Sequence, residues 1–238
     1  MPNGSGLLGH PSSTQSGVIV KKPGSTSIYY IFTVDATALP NGIRWSEVDM
    51  TLAAGLGNVT ANKNILLNTP STEKIYAVRH CNNVDTWVVT HDWGTNQFRT
   101  YSVTAAGVNP VPVLSSSGTV HSGSLWSTNG YMKGSPDGTK LALAVITGAG
   151  TGGYFELFDF DNTMGTVSNP INLGAITTLA YGVEFSPNST LLYGSSFQVI
   201  PANGVITQWN LCAGSAAAII ASATQIGKIG RASCRERV

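Results

Sequence analysis

His80, Cys81, His91 and Asp92 form the densest group of side chains able to ligate a metal or relay a proton, and Trp93 follows directly. Imidazole, thiolate and carboxylate together suit a transition metal. A histidine with an acid beside a serine suits acyl transfer. Either chemistry needs the groups to converge. His80 and His91 instead flank one β-hairpin at opposite ends of its strands, which sends them to different places. The expectation is no metal, no catalytic residue and no cofactor here. Trp93 is expected to pack between sheets, with His91 and Asp92 bonded to turn backbone.

Three other motifs resolve the same way. GAGTGG (148–153) satisfies a dinucleotide fingerprint, but a strand-like run, YFELFDF, follows where a helix must hold the pyrophosphate. DFDNTMG (159–165) begins like a calcium loop, yet its sixth and twelfth positions are Met164 and Pro170 where glycine and glutamate are needed. It reads as a turn between strands. SPDGTKL (135–141) is similar to the Asp-box turn of sialidase-type proteins but has no closing tryptophan. Asp137 is expected to bond its own turn. Cys81 and Cys212 fall in different, non-adjacent units, so no disulfide is expected.

The elements that position these residues follow from composition and repetition. Of 238 residues only 11% are charged, against 42% hydrophobic, with 27 glycines and 11 prolines. That mixture suits short strands joined by turns and disfavours long exposed helices. A net charge of +1 offers no field for nucleic acid. No apolar run reaches the ~20 residues of a membrane span.

A turn of small polar residues followed by a strand-like run recurs four times: KPGSTSIYYIF from Lys22, HCNNVDTWVVT from His80, SPDGTKLALAV from Ser135 and SPNSTLLYGSS from Ser186. An alternating run precedes each turn: GVIV, YAVRH, YMKGS and GVEFS. A third run follows (RWSEVDM, QFRTYSV, YFELFDF, VITQWNL), then a weaker fourth (KNILL, VPVL, NPINL, AAIIAS). Four strands per repeat of about 50 residues predict an all-β chain of four β-propeller blades, near 12–68, 74–115, 120–173 and 178–222. A four-stranded sheet has two apolar faces, and stacking blades covers both. A ring larger than four blades, of six to eight, is expected.

GLLGHPSSTQSGVIVKKPGSTSIYYIFTVD, VDMTLAAGLGNVTANKNILL, SPDGTKLALAV and FELFDFDNTMGTVSNP resemble a group of Bacteroidetes surface propellers of the WD40-like and lactonase-like superfamily. The resemblance covers roughly residues 3–227. It implies an exported, cell-surface or extracellular protein of the gliding or adhesin type, secreted by the type IX route, with adhesion modules as neighbouring domains. It also implies that Met1 lies inside a longer chain. From Ile229 the chain reads IGRASCRERV, a peptide similar to the translation of a sequencing adapter. The expectation is that 229–238 is foreign and that the natural chain continues past Lys228.

A propeller offers ligands its central channel, lined by the innermost strands. Arg79, Tyr131, Lys133, Tyr181 and Glu184 lie on the expected innermost strands and are the candidate binding residues. The function expected is a non-catalytic binding or structural module for a protein or glycan. The alternative is a lactonase-like hydrolase in the same channel, for which Glu184 is the one acidic candidate.

Overall fold

The computed structural model describes residues 1–148, 152–198 and 203–230. Four antiparallel sheets follow one another, each paired in chain order. The first holds β1 (Gly17–Lys21), β2 (Ile28–Val34) and β3 (Ile43–Asp49), with an outer edge split into β4 (Asn58–Val59) and β5 (Ile65–Asn68). The second holds β6 (Ser71–Arg79), β7 (Thr86–Asp92), β8 (Gln97–Thr104), the short β9 (Gly107–Val108) and β10 (Val113–Ser116). The third is β11 (Met132–Gly134), β12 (Lys140–Ile146), β13 (Gly153–Asp161) and β14 (Thr166–Ile176). The fourth is β15 (Leu179–Phe185), β16 (Leu191–Gln198), β17 (Asn203–Asn210) and β18 (Thr224–Gly230).

The sheets stack face to face as propeller blades, and strand alternation explains why. Between the first two sheets, Tyr30, Phe32 and Val34 meet Ile75, Val88 and Val103. Between the second and third, Trp87, Val89 and Phe98 meet Leu141, Leu143, Val145 and Phe158. Between the third and fourth, Ala142, Ala144 and Phe155 meet Val183, Leu192 and Trp209. Odd positions of β12 thus face one neighbour and even positions the other. That is why KLALAV is a continuous apolar run. Burying each large side chain contributes about 1.5–3 kcal/mol. Gly194 permits the last contact: a Cβ there would lie 2.8 Å from the Phe155 ring.

The first hairpins turn as the repeat predicts. Ser135 Oγ donates to Asp137 Oδ1, which accepts from the Thr139 amide (3.0 Å) and hydroxyl (2.9 Å). Ser135 Oγ accepts from the Lys140 amide at 3.0 Å. Ser186, Asn188, Thr190 and Leu191 repeat this pattern in the fourth sheet. DFDNTMG is likewise a turn, with Asp161 accepting from the amides of Thr163 and Met164. Of GAGTGG, residues 149–151 lie outside the described residues, and β13 begins at Gly153. Cys81 and Cys212 are free and exposed.

One strand is corrected. AAIIAS, read as the fourth strand of the last unit, forms α1 (Ala216–Ala221). Ser215 caps it, its Oγ accepting from the Ala218 amide at 3.2 Å, and three alanines in a row favour the helix. The fourth strand is β18, which pairs with β17 through Gly230. Ile229 and Gly230, the first residues of the segment expected to be foreign, belong to this strand. Residues 231–238 lie outside the described residues.

Candidate functional site

The first strands of successive sheets lie side by side, stitched by polar contacts. Gln15 Nε2 donates to the Met132 carbonyl at 3.0 Å, and its Oε1 accepts from the amides of Met132 (2.8 Å) and Ile75 (3.3 Å). The Tyr131 amide donates to the Tyr181 carbonyl at 2.7 Å. Four of the five candidate binding residues meet on these strands. The Tyr131 and Tyr181 rings stand edge to face at 5.7 Å, and Phe197 adds a third ring 5.6 Å from Tyr181. Lys133 Nζ lies 2.9 Å from the Glu184 carboxylate and 5.8 Å from the centroid of the Tyr76 ring.

Tyr76 was not among the sequence candidates, although YAVRH and YMKGS align it with Tyr131. Its ring lies on Gly134, where a Cβ would fall 2.8 Å from the ring edge. Burial pushes the Tyr76 hydroxyl up, against the pull of Lys133, and Glu184 pushes it further. Gln15, Tyr76, Tyr131 and Lys133 line a groove of about 350 Å³. Arg79 does not join this strip. It ends β6 on the far side, donating to the Asn83 carbonyl at 2.9 Å and lining a different groove of about 560 Å³ with His80 and Asp137.

A second polar cluster, at the opposite end of β6, escaped sequence reasoning. Ser71 pairs with Asp92 and Ile75 with Thr90, so β6 bulges between them. The bulge turns Glu73 and Lys74 inward, where they are 1% and 0% exposed. Glu73 reaches the first sheet's connections: its carboxylate accepts from the Thr14 amide (2.6 Å) and hydroxyl (2.8 Å) and the Thr37 amide (3.0 Å). Lys74 Nζ donates to the carbonyls of Ser127 (3.3 Å), Thr128 (3.0 Å) and Asn129 (2.7 Å), which lead into the third sheet. Burial pushes the Lys74 ammonium down to about 7, while Glu73 and Glu156 pull it up.

His91 belongs to the same interior. Its ring stacks on His121 at 3.9 Å and stands against Phe98 at 4.7 Å, while Nδ1 contacts the Asp92 carbonyl at 2.7 Å. Burial holds both imidazoles well below their usual range, with Lys74 adding to the effect. His121 Nε2 is 3.5 Å from the Glu156 carboxylate, but the imidazole is neutral there, so this is a contact rather than an ion pair. Burial raises Glu156 against hydrogen bonds from Thr119. The expectation for Asp92 is corrected: it pairs with the Arg99 guanidinium at 2.9 Å and accepts from Asn68 instead of bonding a turn. His80, separate from His91, stacks on Trp87 at 5.4 Å. Among the described residues, no group of three His, Cys, Asp or Glu side chains is arranged to hold a metal.

No protein-family model matches the chain, and no curated protein does. Solved structures do. The periplasmic gluconolactonase of Pseudomonas aeruginosa aligns over 89% of this chain and 70% of its own, at 12% identity and a TM-score of 0.50. A Bacteroides uniformis protein of the 6-phosphogluconolactonase kind aligns over 88% and 70%, at 13% identity and a TM-score of 0.46. A Lactobacillus plantarum protein aligns over 84% of this chain at 15% identity and a TM-score of 0.45, and the chain spans only 54% of it. The first of these supports the propeller fold. At such identities the likeness extends to the fold alone. No described helix is long and apolar enough to cross a membrane.

Proposed function

We propose that the chain is a non-catalytic binding module of an exported bacterial surface protein, and that the Tyr76, Tyr131, Lys133, Tyr181 and Glu184 strip takes a glycan. The observation that carries this is the joining of these side chains from three first strands, three of them, Tyr76, Tyr131 and Lys133, lining one groove. Tyrosine rings offer flat apolar faces to the C–H faces of sugars, while their hydroxyls and the Lys133–Glu184 pair offer donors and acceptors to sugar hydroxyls. A hydrolase would need an acid or base open to its substrate. Lys74, His91, His121 and Glu156 are at most 1% exposed, which leaves Glu184, exposed and paired with Lys133, as the one open acid of the strip. Export and a surface location rest on the resemblance of the sequence to Bacteroidetes surface propellers.

A screen of immobilised oligosaccharides followed by calorimetry tests the proposal. Binding is expected, with Tyr131→Ala and Tyr181→Ala each weakening it roughly tenfold, about 1.4 kcal/mol. Unchanged affinity in both variants, or turnover of a sugar lactone, would refute it.

A further inference from the structure

The tyrosine strip runs into a groove whose chemistry the glycan reading leaves unassigned. β1 and β6 lie side by side. Gly17 and Val18 of β1, with Ile75 and Tyr76 of β6, line the strip's groove of about 350 Å³. The next residues of the same two strands, Ile19 and Lys21 with Ala77 and Arg79, line a second groove of about 490 Å³. The groove of about 560 Å³ overlaps both, sharing Tyr76 with the first and Ala77, Arg79 and Asn83 with the second. The three form one trough along the edge of β6 that β7 leaves free.

The two ends of this trough differ in charge. Lys21, Lys22 and Arg79 bring three cations to the second groove against one carboxylate, Asp85. Lys21 and Arg79 are exposed and Lys22 is half-buried. Among the described residues, the carboxylates within ion-pair reach of a base engage Arg99, His121, Lys133 and Lys140, and none of these three. Asp85 instead accepts from the Asn82 side-chain amide at 2.7 Å. Asp137, the acid of the overlapping groove, is bonded into its own turn. Arg79 donates one N–H to the Asn83 carbonyl at 2.9 Å, which holds the guanidinium in place while its other donors face the groove. At the strip end, by contrast, Lys133 is already neutralised by Glu184.

We propose, resting on the glycan reading above, that the ligand of the strip is an oligosaccharide bearing an anionic group, a carboxylate or a sulfate, received by Lys21, Lys22 and Arg79. Charge complementarity selects the anion. A cationic sugar would be repelled, and a neutral one would leave the three cations with water alone. The guanidinium presents paired donors that match an oxyanion, and the two ammonium groups add charge without fixing geometry. Spacing sets the size of the ligand. From Tyr76 to Arg79 is about 10 Å of strand, so the anionic group belongs to a different sugar unit from the ring on the tyrosines. The neutral Lys133–Glu184 pair is left to the hydroxyls of the uncharged part.

The experiment is calorimetry of the full chain with matched pairs of oligosaccharides: xylo-, gluco- and galacto-oligomers bearing one uronic acid beside their methyl esters, and sulfated oligomers beside their desulfated forms. The anionic member of a pair is expected to bind roughly tenfold more tightly, with the difference shrinking from about 50 to 500 mM salt. Whether the uronate or the sulfate pair shows it identifies the anion. Arg79→Gln and Lys21→Gln, both at exposed positions, should each weaken the anionic ligand roughly fivefold and leave its neutral partner unchanged. Asp85→Asn, which keeps an acceptor for Asn82, should strengthen the anionic ligand roughly twofold. Equal affinity within every pair would overturn this inference and leave the glycan reading standing, whereas no binding of any sugar would overturn both. A preference that survives Arg79→Gln and Lys21→Gln would refute the assignment of this groove. Equal binding of oligothymidylate or a polyglutamate peptide would show a groove for any polyanion and refute it too.

Discussion

At one end of the sheets the first hairpins of the third and fourth close mainly on their own residues, whereas at the other end connections close on side chains distant in the sequence. Ser135, Asp137 and Thr139 bond one another within a single turn, and Ser186, Asn188 and Thr190 repeat the arrangement. Glu73 and Lys74 instead tie connections of the first and third sheets to a bulge in the second. Local bonds in solvent are individually weak and interchangeable. Buried charges are neither, because removing one partner strands the other in a low-dielectric interior. The two ends should therefore respond very differently to substitution and pH.

The largest effect is expected for Lys74→Ala, which leaves the buried carbonyls of Ser127, Thr128 and Asn129 without their donor. A loss of about 3–5 kcal/mol is expected by denaturant unfolding. Lys74→Met, which fills the space without a charge, should lose distinctly less.

The pH dependence comes next. His91 and His121 are held neutral in the fold, so their contribution is intact above the ordinary imidazole value near 6.5 and is lost as pH falls below it. Lys74, held at about 7 against 10.5 unfolded, adds stability as pH rises between those values. Glu156, with its raised carboxyl, works the other way, losing stability as pH rises from 4.5 toward its folded value. Tyr101 and Tyr154, pushed up to about 12, withdraw stability above pH 10. Thermal unfolding should thus reveal stability declining as pH falls below about 6.5 and again as it rises above 10. Stability independent of pH from 5 to 9 would contradict the neutral buried cluster.

Smaller changes are expected at the hairpin end. Asp137→Ala should lower stability by about 1 kcal/mol, and Asn188→Ala by a similar amount, since each removes hydrogen bonds inside one exposed turn. Equal losses at Lys74 and Asp137 would erase the contrast between the ends. The smallest effect is expected for Glu184→Gln. Its side chain is 60% exposed, so the ion pair with Lys133 is worth under about 1 kcal/mol, and the melting temperature should barely move. Glycan binding should weaken even so.

The same contrast governs what could be read from the sequence. The hairpin turns were legible because Ser, Pro, Asp and Gly act on their own backbone, and the blades because their strand pattern recurs. Alternation put Tyr131 and Lys133 on one face, whereas Tyr181 and Glu184, three residues apart, share the strip because β15 shifts register between Ala180 and Gly182. The alignment of Tyr76 with Tyr131 carried the signal for the fifth member. Arg79 lies on the same strand as Tyr76 but past the groove, a distinction set by strand length. Glu73 and Lys74 gave no such signal: a charged pair in STEKIYAVR reads as a solvated strand end until the bulge turns it inward. AAIIAS was ambiguous for its own reason, since a short apolar run fits helix or strand, and the Ser215 cap and alanine content decided it.

The most direct test of this account is amide hydrogen exchange on the wild type and Lys74→Met. Amides of Thr37, Asn129 and Gly130, at the end organised by buried charge, should lose protection selectively. Those of Thr139, Lys140 and Leu191, at the hairpin end, should keep theirs. Equal loss at both ends, or none at either, would contradict the claim that Lys74 orders one end of the sheets from inside.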